Sequence, residues 1–238
     1  MRHSRHSSRS GGQGETSHWI APIAFLVVIA LLLAVGWWFW HYSREQELRL
    51  PLRVGAAFDI SGSMQKAEKQ RAVGVLYALI DEKLPYQTPI RIWVYAERIH
   101  ESTEQAPTRS SDLNAFAQRS ITEKLGEWGT YQKLPLQAML NYAKEYPDRK
   151  MVLCLFTDGE DHTPAETQHL AAELSRLPNV CAVLVGPLEE QFRMGFRHRL
   201  EALRQSGKLI LFGKDDAGRA LDELKAKLDQ LDREVRDK

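Results

Sequence analysis

One uncharged apolar segment constrains this chain more than any other feature. Residues 19–40, WIAPIAFLVVIALLLAVGWWFW, contain no charged side chain. At a helical rise of about 1.5 Å per residue, the segment is long enough to cross the roughly 30 Å hydrocarbon core of a bilayer. Trp19 lies at one end, and Trp37 and Trp38 lie at the other, as in the aromatic belts of membrane helices. We therefore predict one transmembrane helix over residues 19–42.

The flanks of this segment indicate a retained anchor with a short tail. A cleaved signal peptide has a shorter apolar core and a small-residue cleavage site, whereas this segment ends in bulky aromatic residues. Residues 1–18 are rich in Ser, Gly, Arg and His and are predicted to be a disordered basic tail, and residues 43–51 a short linker. Arginines are similarly frequent on both sides of the segment, so the positive-inside rule decides little. We expect a single-pass protein of a bacterial inner membrane, with the tail in the cytoplasm and the domain on the extracytoplasmic side.

Composition argues against two other classes of protein. The chain has 32 basic and 31 acidic residues, so it lacks the electrostatic footprint of a nucleic-acid-binding protein. Cys154 and Cys181 both lie in apolar runs that are typical of strands, which predicts buried thiols. Without clustered histidines they do not indicate a zinc site, and a disulfide between parallel neighbouring strands would have awkward geometry.

From residue 52 to the end, strand-like and helix-like segments alternate without an internal repeat. Strands are predicted at 52–58, 90–96, 98–102, 150–157, 179–186 and 208–213. Helices are predicted at 65–84, 112–125, 134–145, 164–176, 192–205 and from 215 onward, with Thr163 as an N-cap before Pro164. This alternation indicates a single α/β domain, 52–238, with a Rossmann-like, mostly parallel sheet and helices on both faces.

The stretch AAFDISGSMQK, residues 56–66, changes abruptly from a strand pattern to a polar loop. It places Asp59, Ser61 and Ser63 two residues apart, with a glycine between the serines. A loop between a strand and a helix N-terminus usually favours anions. This loop lacks the GxxxxGK pattern and has a carboxylate at its centre instead. A carboxylate beside hydroxyl oxygens suits a hard cation.

Two further loops are predicted to reach the same edge of the sheet. Asp158 follows the apolar strand MVLCLF in the sequence TDGED, and Thr130 lies in EWGTYQ just ahead of a helix. Ligand sites of parallel sheets lie beyond the carboxyl ends of the strands, where the winding reverses. The resulting oxygen-only set predicts a Mg²⁺ site, with Ca²⁺ or Mn²⁺ as alternatives, and leaves a position for water or an incoming carboxylate. Its members are Asp59, Ser61, Ser63, Thr130 and Asp158.

Each of these motifs also has a purely structural interpretation. Ser61 and Ser63 are suited to capping the next helix, Asp59 is suited to accepting backbone N–H bonds, and TDGED is a common turn composition. His162, just after TDGED, is expected to lie in a solvated loop. The joint occurrence of the motifs, in this order and on strand ends, favours the metal site.

These residues resemble the metal-ion-dependent adhesion site of von Willebrand factor type A (VWA) domains, in sequence order as well as in composition. The matching segments are DISGS, the GT of GTYQKLPLQAM and TDGED, and the resemblance covers nearly all of the predicted domain. It implies the VWA fold, with Mg²⁺ bound through Ser61, Ser63 and Thr130 and with Asp59 and Asp158 acting directly or through water. It also implies a protein partner whose Glu or Asp completes the coordination.

The sequence thus predicts a membrane-anchored, Mg²⁺-dependent protein-binding module for adhesion or assembly. One alternative is a scaffold of a membrane complex that needs no metal. Another is a metal-dependent phosphohydrolase, since paired aspartates at strand ends also serve phosphoryl transfer. A haloacid-dehalogenase-like nucleophile pattern requires a second aspartate where this chain has Ser61, and no GxSxG or ATP-binding motif occurs. We therefore predict no enzymatic activity.

The last predicted helix carries apolar residues at intervals of three and four. They are Leu221, Leu224, Leu228, Leu231 and Val235. The run is shorter than a coiled coil usually requires, so we expect this helix to pack against the sheet.

Overall fold

The computed structural model describes residues 28–38, 51–102, 104–122 and 129–237. The chain divides into two compact units, Met1–Glu47 and Leu48–Lys238. In the first unit residues 28–38 form a helix, α1, with exposed side chains. The rest of the predicted span, the predicted tail and residues 43–50 of the predicted linker lie outside the described residues. Within the described ranges, no helix is both long and apolar enough to cross a membrane.

The second unit is a six-stranded sheet flanked by helices. Its strands are β1 Leu52–Asp59, β2 Ile90–Tyr95, β3 Ile99–Glu101, β4 Lys150–Phe156, β5 Val180–Gly186 and β6 Leu209–Leu211. Its helices are α2 Lys66–Ala78, α3 Asn114–Thr122, α4 Lys133–Glu145, α5 Pro164–Arg176, α6 Glu190–Arg199, α7 Glu201–Gln205 and α8 Ala217–Arg236. The strand order is β3-β2-β1-β4-β5-β6, and only β3 runs antiparallel to its neighbour. The predicted α/β fold class and the predicted hairpin at 98–102 are confirmed.

Alternation along the central strands builds two separate cores. In β4, Val152, Cys154 and Phe156 face one side and join the core beneath α2 and α8. Leu153 and Leu155 face the other side and join the core beneath α4 and α5. A strand covered on both faces is apolar at every position, which is why the MVLCLF pattern predicts a central strand. Both cysteines are free thiols and are buried, as predicted.

The predicted helices over 65–84 and 192–205 are each interrupted. α2 ends at Ala78 and is followed by a π-helical turn, Leu79–Lys83, which keeps Leu79 fully buried. The second helix breaks at Leu200, also fully buried, so that α6 and α7 are separate. The periodicity of the apolar residues indicates helical spacing in both segments but does not predict either interruption.

Two predicted helix starts differ in detail. Asp112 does not begin a regular helix, because its carboxylate accepts hydrogen bonds from the backbone N–H groups of Thr108 and Arg109 (2.8 and 3.2 Å) and stabilises a 3₁₀ turn, Ser110–Leu113. α3 follows this turn and is described as far as Thr122, so the predicted end near residue 125 lies outside the described residues. The hydroxyl of Thr163 does not cap α5, although it precedes Pro164, because it donates to Asp161 Oδ1 (3.0 Å) instead.

The winding of the sheet reverses between β1 and β4. β1 is followed along the chain by β2 on one side, while β4 and β5 extend the sheet on the other. The carboxyl ends of β1 and β4 therefore border the crevice in which open α/β sheets bind ligands. Asp59 is the last residue of β1, and Asp158 comes two residues after the end of β4.

The last helix packs against the sheet, as predicted. Leu221, Leu224 and Leu228 of α8 are buried in the core beneath α2, whereas Val235 near its end is 46% exposed. The apolar spacing therefore serves the core along most of the helix.

We expect Leu224→Ala to lower the free energy of unfolding of the full chain by about 2–5 kcal/mol, because it opens a cavity beneath α8. Val235→Ala removes apolar atoms from the same helix at an exposed position and should change stability by less than about 0.5 kcal/mol. Urea unfolding followed by far-ultraviolet circular dichroism measures both. Equal effects of the two variants would show that α8 does not pack as described.

Candidate metal centre

Asp59 ends β1 with a carboxyl group that is sealed from solvent. Its side chain is 1% exposed, and Oδ1 accepts a hydrogen bond from the backbone N–H of Ser61 at 2.9 Å. The next residue, Ile60, donates its backbone N–H to the carbonyl of Tyr95, so the turn out of β1 stays attached to the end of β2. The DISGS loop is therefore held by the sheet at its start and turns around its own carboxylate.

Three hydroxyl groups from two loops meet beside Asp59. Thr130 Oγ1 donates to Ser61 Oγ at 2.9 Å, and Ser61 Oγ lies 3.0 Å from Ser63 Oγ. Thr130 and Ser61 are buried, whereas Ser63 is exposed. The cluster can be reached from solvent at Ser63.

Asp158 joins the cluster from the end of β4. It is 2% exposed, and its Oδ1 accepts the backbone N–H of Glu160 at 2.9 Å. A hydrogen bond with the Ser63 side chain places this carboxyl group next to the hydroxyl cluster. The structure therefore brings all five predicted ligands together at one edge of the sheet.

The two carboxyl groups are poorly accommodated without a cation. Burial, together with the nearby charge of Asp158, raises the pKa of Asp59 to about 7. Burial also raises the pKa of Asp158, and the charges of Glu160 and Glu68 add to this shift. A divalent cation would remove the penalty of keeping both groups ionised in this environment.

The donor set fits a hard divalent cation. The described residues contain no group of three or more His, Cys, Asp or Glu side chains arranged to hold a metal, so neutral hydroxyls must contribute here. Carboxylate and hydroxyl oxygens match Mg²⁺, Ca²⁺ or Mn²⁺ better than zinc. Asp59, Ser61, Ser63, Thr130 and Asp158 are the side chains that would hold such an ion.

The sequence analysis missed a buried hydrogen-bond chain that ends on Asp59. Tyr95 donates its hydroxyl to Gln132 Oε1 (2.8 Å), Gln132 Nε2 donates to Thr157 Oγ1 (2.7 Å), and Thr157 Oγ1 donates to Asp59 Oδ2 (3.2 Å). Tyr95, Gln132 and Thr157 are all buried. These hydrogen bonds connect β2, the loop that carries Thr130 and the end of β4 to the carboxylate of Asp59. Thr157 had a visible signal as the polar residue that closes an apolar strand, but Gln132 had none.

His162 lies in an exposed loop and contacts the backbone of Thr130. Its side chain is 45% exposed, but Nδ1 accepts the backbone N–H of Thr130 at 3.2 Å. The backbone N–H of His162 donates to the carbonyl of Thr130 at 2.9 Å. The prediction of a solvated loop is confirmed, and these two hydrogen bonds also hold the Thr130 loop against the loop that follows Asp158.

The structural alternative for the serines also fails on geometry. α2 is capped by Glu68, whose Oε2 accepts the backbone N–H of Gln65 at 2.9 Å, and not by Ser61 or Ser63. The serine hydroxyls are directed at each other and at Thr130. The structural interpretations of the two acidic motifs are correct, because Asp59 and Asp158 each accept a backbone N–H within their own loops.

Solved structures of low sequence identity share this fold. An aerotolerance-related membrane protein from Bacteroides fragilis is 16% identical, with a TM-score of 0.57 over 75% of this chain and 99% of that one. A von Willebrand factor type A protein from Catenulispora acidiphila is 16% identical, with a TM-score of 0.53 over 74% of this chain and 41% of that one. Proximal thread matrix protein 1 from the mussel byssus, with a zinc-occupied MIDAS motif, is 14% identical, with a TM-score of 0.51 over 77% and 48%.

Sequence comparisons add no family assignment. No protein-family model matches the chain, and no curated protein matches it. At these levels of identity, the structural likenesses show the fold alone. The described domain has the fold of von Willebrand factor type A domains.

We expect Thr157→Val to destabilise the chain by about 1–3 kcal/mol. The substitution keeps the shape of the side chain but removes the donor to Asp59 and an acceptor for Gln132 and for the backbone N–H of Gly159. Thr157→Ser retains the hydroxyl and should recover most of the loss. Urea unfolding in a chelator measures both variants, and a loss in Thr157→Ser as large as that in Thr157→Val would contradict the assignment of the effect to the hydrogen bonds of the hydroxyl.

We also expect the metal-free chain to become less stable as the pH rises from about 5 to about 7.5. The folded-state pKa of Asp59, about 7, lies above the value of about 3.9 for an unfolded chain, so the folded state binds this proton more tightly. The resulting stabilisation is complete below the unfolded pKa and is lost as the pH rises through the folded one. The loss should be about 2 kcal/mol in urea unfolding with chelator present.

Asp59→Asn should flatten this dependence, because the substituted side chain does not titrate. Asp148→Asn changes an exposed aspartate in the turn before β4 and should leave the dependence unchanged. Stability that rises with pH over the same interval would contradict the described burial of Asp59.

Proposed function

We propose that this chain is a membrane-anchored, Mg²⁺-dependent protein-binding module that recognises a carboxylate on its partner. The observation that carries the proposal is the cluster of two buried carboxyl groups and three hydroxyls at the switch point of the sheet, with access at Ser63. VWA domains of the same fold generally mediate protein–protein interactions, which supports an interaction role.

Mg²⁺ is proposed from the chemistry of the ligands. All five side chains offer oxygen, and three of them are neutral, which suits a small hard cation that keeps some of its water. Ca²⁺ and Mn²⁺ remain alternatives with the same ligand preference. The zinc-occupied MIDAS motif of the mussel byssus protein supports a divalent ion at such a site in general.

A carboxylate on the partner is proposed from the charge balance. Asp59 and Asp158 together offset a divalent charge, and the hydroxyls add none. A bound cation would therefore retain affinity for an anionic oxygen at a position left open near Ser63, the exposed member of the cluster. An acidic side chain on another protein is the simplest group that meets this requirement.

Membrane anchoring is proposed from the uncharged segment at 19–40. Its length and its aromatic ends support a single span. The Bacteroides fragilis protein that shares the fold is described as a membrane protein, which is consistent with this arrangement. We also propose that the anchor lies in a bacterial inner membrane and that the domain lies on its extracytoplasmic side.

The proposal is tested by affinity capture from detergent-solubilised membranes with the tagged full-length chain. We expect one or more proteins to be retained with Mg²⁺ and lost with a chelator, with Asp59→Ala and with Ser63→Ala. Ser111→Ala is the matched control and should retain the same proteins. Ser111 is exposed, and its neighbour Ser110 hydrogen bonds to Asp81 in the π-helical turn, at the end of α2 opposite the DISGS loop.

Two results would contradict the proposal. Retention of the same proteins in all conditions would favour a scaffold that needs no metal. Hydrolysis of a generic phosphate ester that persists through purification and is lost in Asp59→Ala would favour a phosphohydrolase.

A further inference from the structure

A second group of charged side chains lies behind the metal centre. Glu68, in the first turn of α2, is buried to 1% exposure. Its Oε1 forms an ion pair with Lys214 Nζ at 2.8 Å, and Lys214 reaches it from the loop between β6 and α8. The same Nζ lies 3.4 Å from Glu189 Oε1, in the loop between β5 and α6. Lys214 therefore connects its own loop with the first turn of α2 and with the loop that carries Glu189.

This group is coupled to Asp158 through both charge and backbone. The negative charge of Glu68 contributes to the raised pKa of Asp158, after burial and the charge of Glu160. The backbone N–H of Glu189 donates to the carbonyl of Asp158 at 2.9 Å. A change in the charge of the Glu68–Lys214 pair therefore acts on a residue of the candidate metal centre.

The geometry of Glu68 makes the contribution of Lys214 an electrostatic one. One oxygen of Glu68 caps α2 and the other lies against Lys214, so its carboxylate is fixed in place, and its charge acts on Asp158. Without Lys214, the charge of Glu68 would lose its ion-pair partner and would add to the charges of Asp59, Asp158, Glu160 and Lys69 already at the centre. Such a centre attracts a divalent cation more strongly but leaves it less positive charge toward an incoming anion.

We propose that Lys214 sets the charge of the metal centre by neutralising Glu68, so that the centre binds a divalent cation less tightly and selects carboxylate on the partner. The inference rests on the proposed function, because it assigns the pair a role at the same site. Lys214 is a specificity-determining residue in this scheme and contacts neither the metal nor the partner.

A purely structural role for the pair predicts a different pattern. If Lys214 only held the β6–α8 loop against α2, then losing either Lys214 or Glu68 would loosen the centre and weaken metal binding in both cases. An electrostatic role predicts changes of opposite sign for the two residues. The directions of the two changes in metal affinity therefore distinguish the electrostatic role from the structural one.

The test measures Mn²⁺ affinity of the full-length chain in an uncharged detergent, from the electron paramagnetic resonance signal of free Mn²⁺. We expect Lys214→Met to bind Mn²⁺ about 3–10-fold more tightly and Glu68→Gln to bind it weaker by a similar factor. The double variant should lie close to the unaltered chain, and the differences should shrink at high salt. Asp59→Ala gives the background binding elsewhere on the chain.

Lys83→Met is the matched control. Lys83 also forms an ion pair, with Asp222 Oδ1 at 2.9 Å, but it lies in the π-helical turn at the far end of α2. The substitution changes the net charge by the same amount and should leave Mn²⁺ affinity unchanged. Lys214→Arg keeps the charge and should also match the unaltered chain.

Carboxylate selection is measured with acetate as the probe, against chloride at equal ionic strength. We expect acetate to lower the water-proton relaxation enhancement of bound Mn²⁺ less in Lys214→Met than in the unaltered chain. Weaker Mn²⁺ binding in both single variants, no change in either, or an equal acetate effect would overturn the inference and leave the proposed function intact. No Mn²⁺ binding above background by the unaltered chain would overturn both.

Discussion

The structure of this domain is organised around two buried carboxyl groups at the ends of neighbouring parallel strands. Asp59 and Asp158 are each almost inaccessible to solvent, and the charge of Asp158 adds to the cost of ionising Asp59. Burying one charge is costly, and burying two of the same sign is more so. The surrounding polar groups reduce this cost. The backbone N–H of Ser61 and the hydroxyl of Thr157 donate to Asp59, and the backbone N–H of Glu160 donates to Asp158.

The topology explains why such a costly arrangement persists. The reversal of winding between β1 and β4 leaves a crevice that no crossover helix covers, and the loops after both strands must turn there. The buried chain from Tyr95 through Gln132 to Thr157 then fixes the relative positions of three of these loops. The sheet and these hydrogen bonds together fix the polar groups in place independently of a bound ligand.

The sequence predicts the parts of this arrangement that depend on local pattern. Alternating and uniformly apolar runs identify the strands, and the short polar motifs at strand ends identify Asp59, Ser61, Ser63, Thr130 and Asp158. The residues that it does not reveal act over long separations. Gln132 contacts Tyr95 and Thr157, and Lys214 contacts Glu68, only because the fold brings distant segments together. A glutamate in a helical pattern is typical of an exposed residue. Glu68 is buried because the β6–α8 loop packs over it.

The same arrangement links stability to binding. A group that binds only the folded state stabilises that state, and any ion that relieves the repulsion between Asp59 and Asp158 does so in proportion to its affinity. If an acidic partner strengthens the binding of this ion, then the ion strengthens the binding of the partner by the same factor, because coupling between two ligands is reciprocal. An excess of fixed negative charge would favour binding of the cation at the expense of binding of the acidic partner. In the proposed scheme, the ion pair of Lys214 with Glu68 keeps the two in balance, so that a bound cation would stabilise the folded centre and still attract an acidic group of another protein.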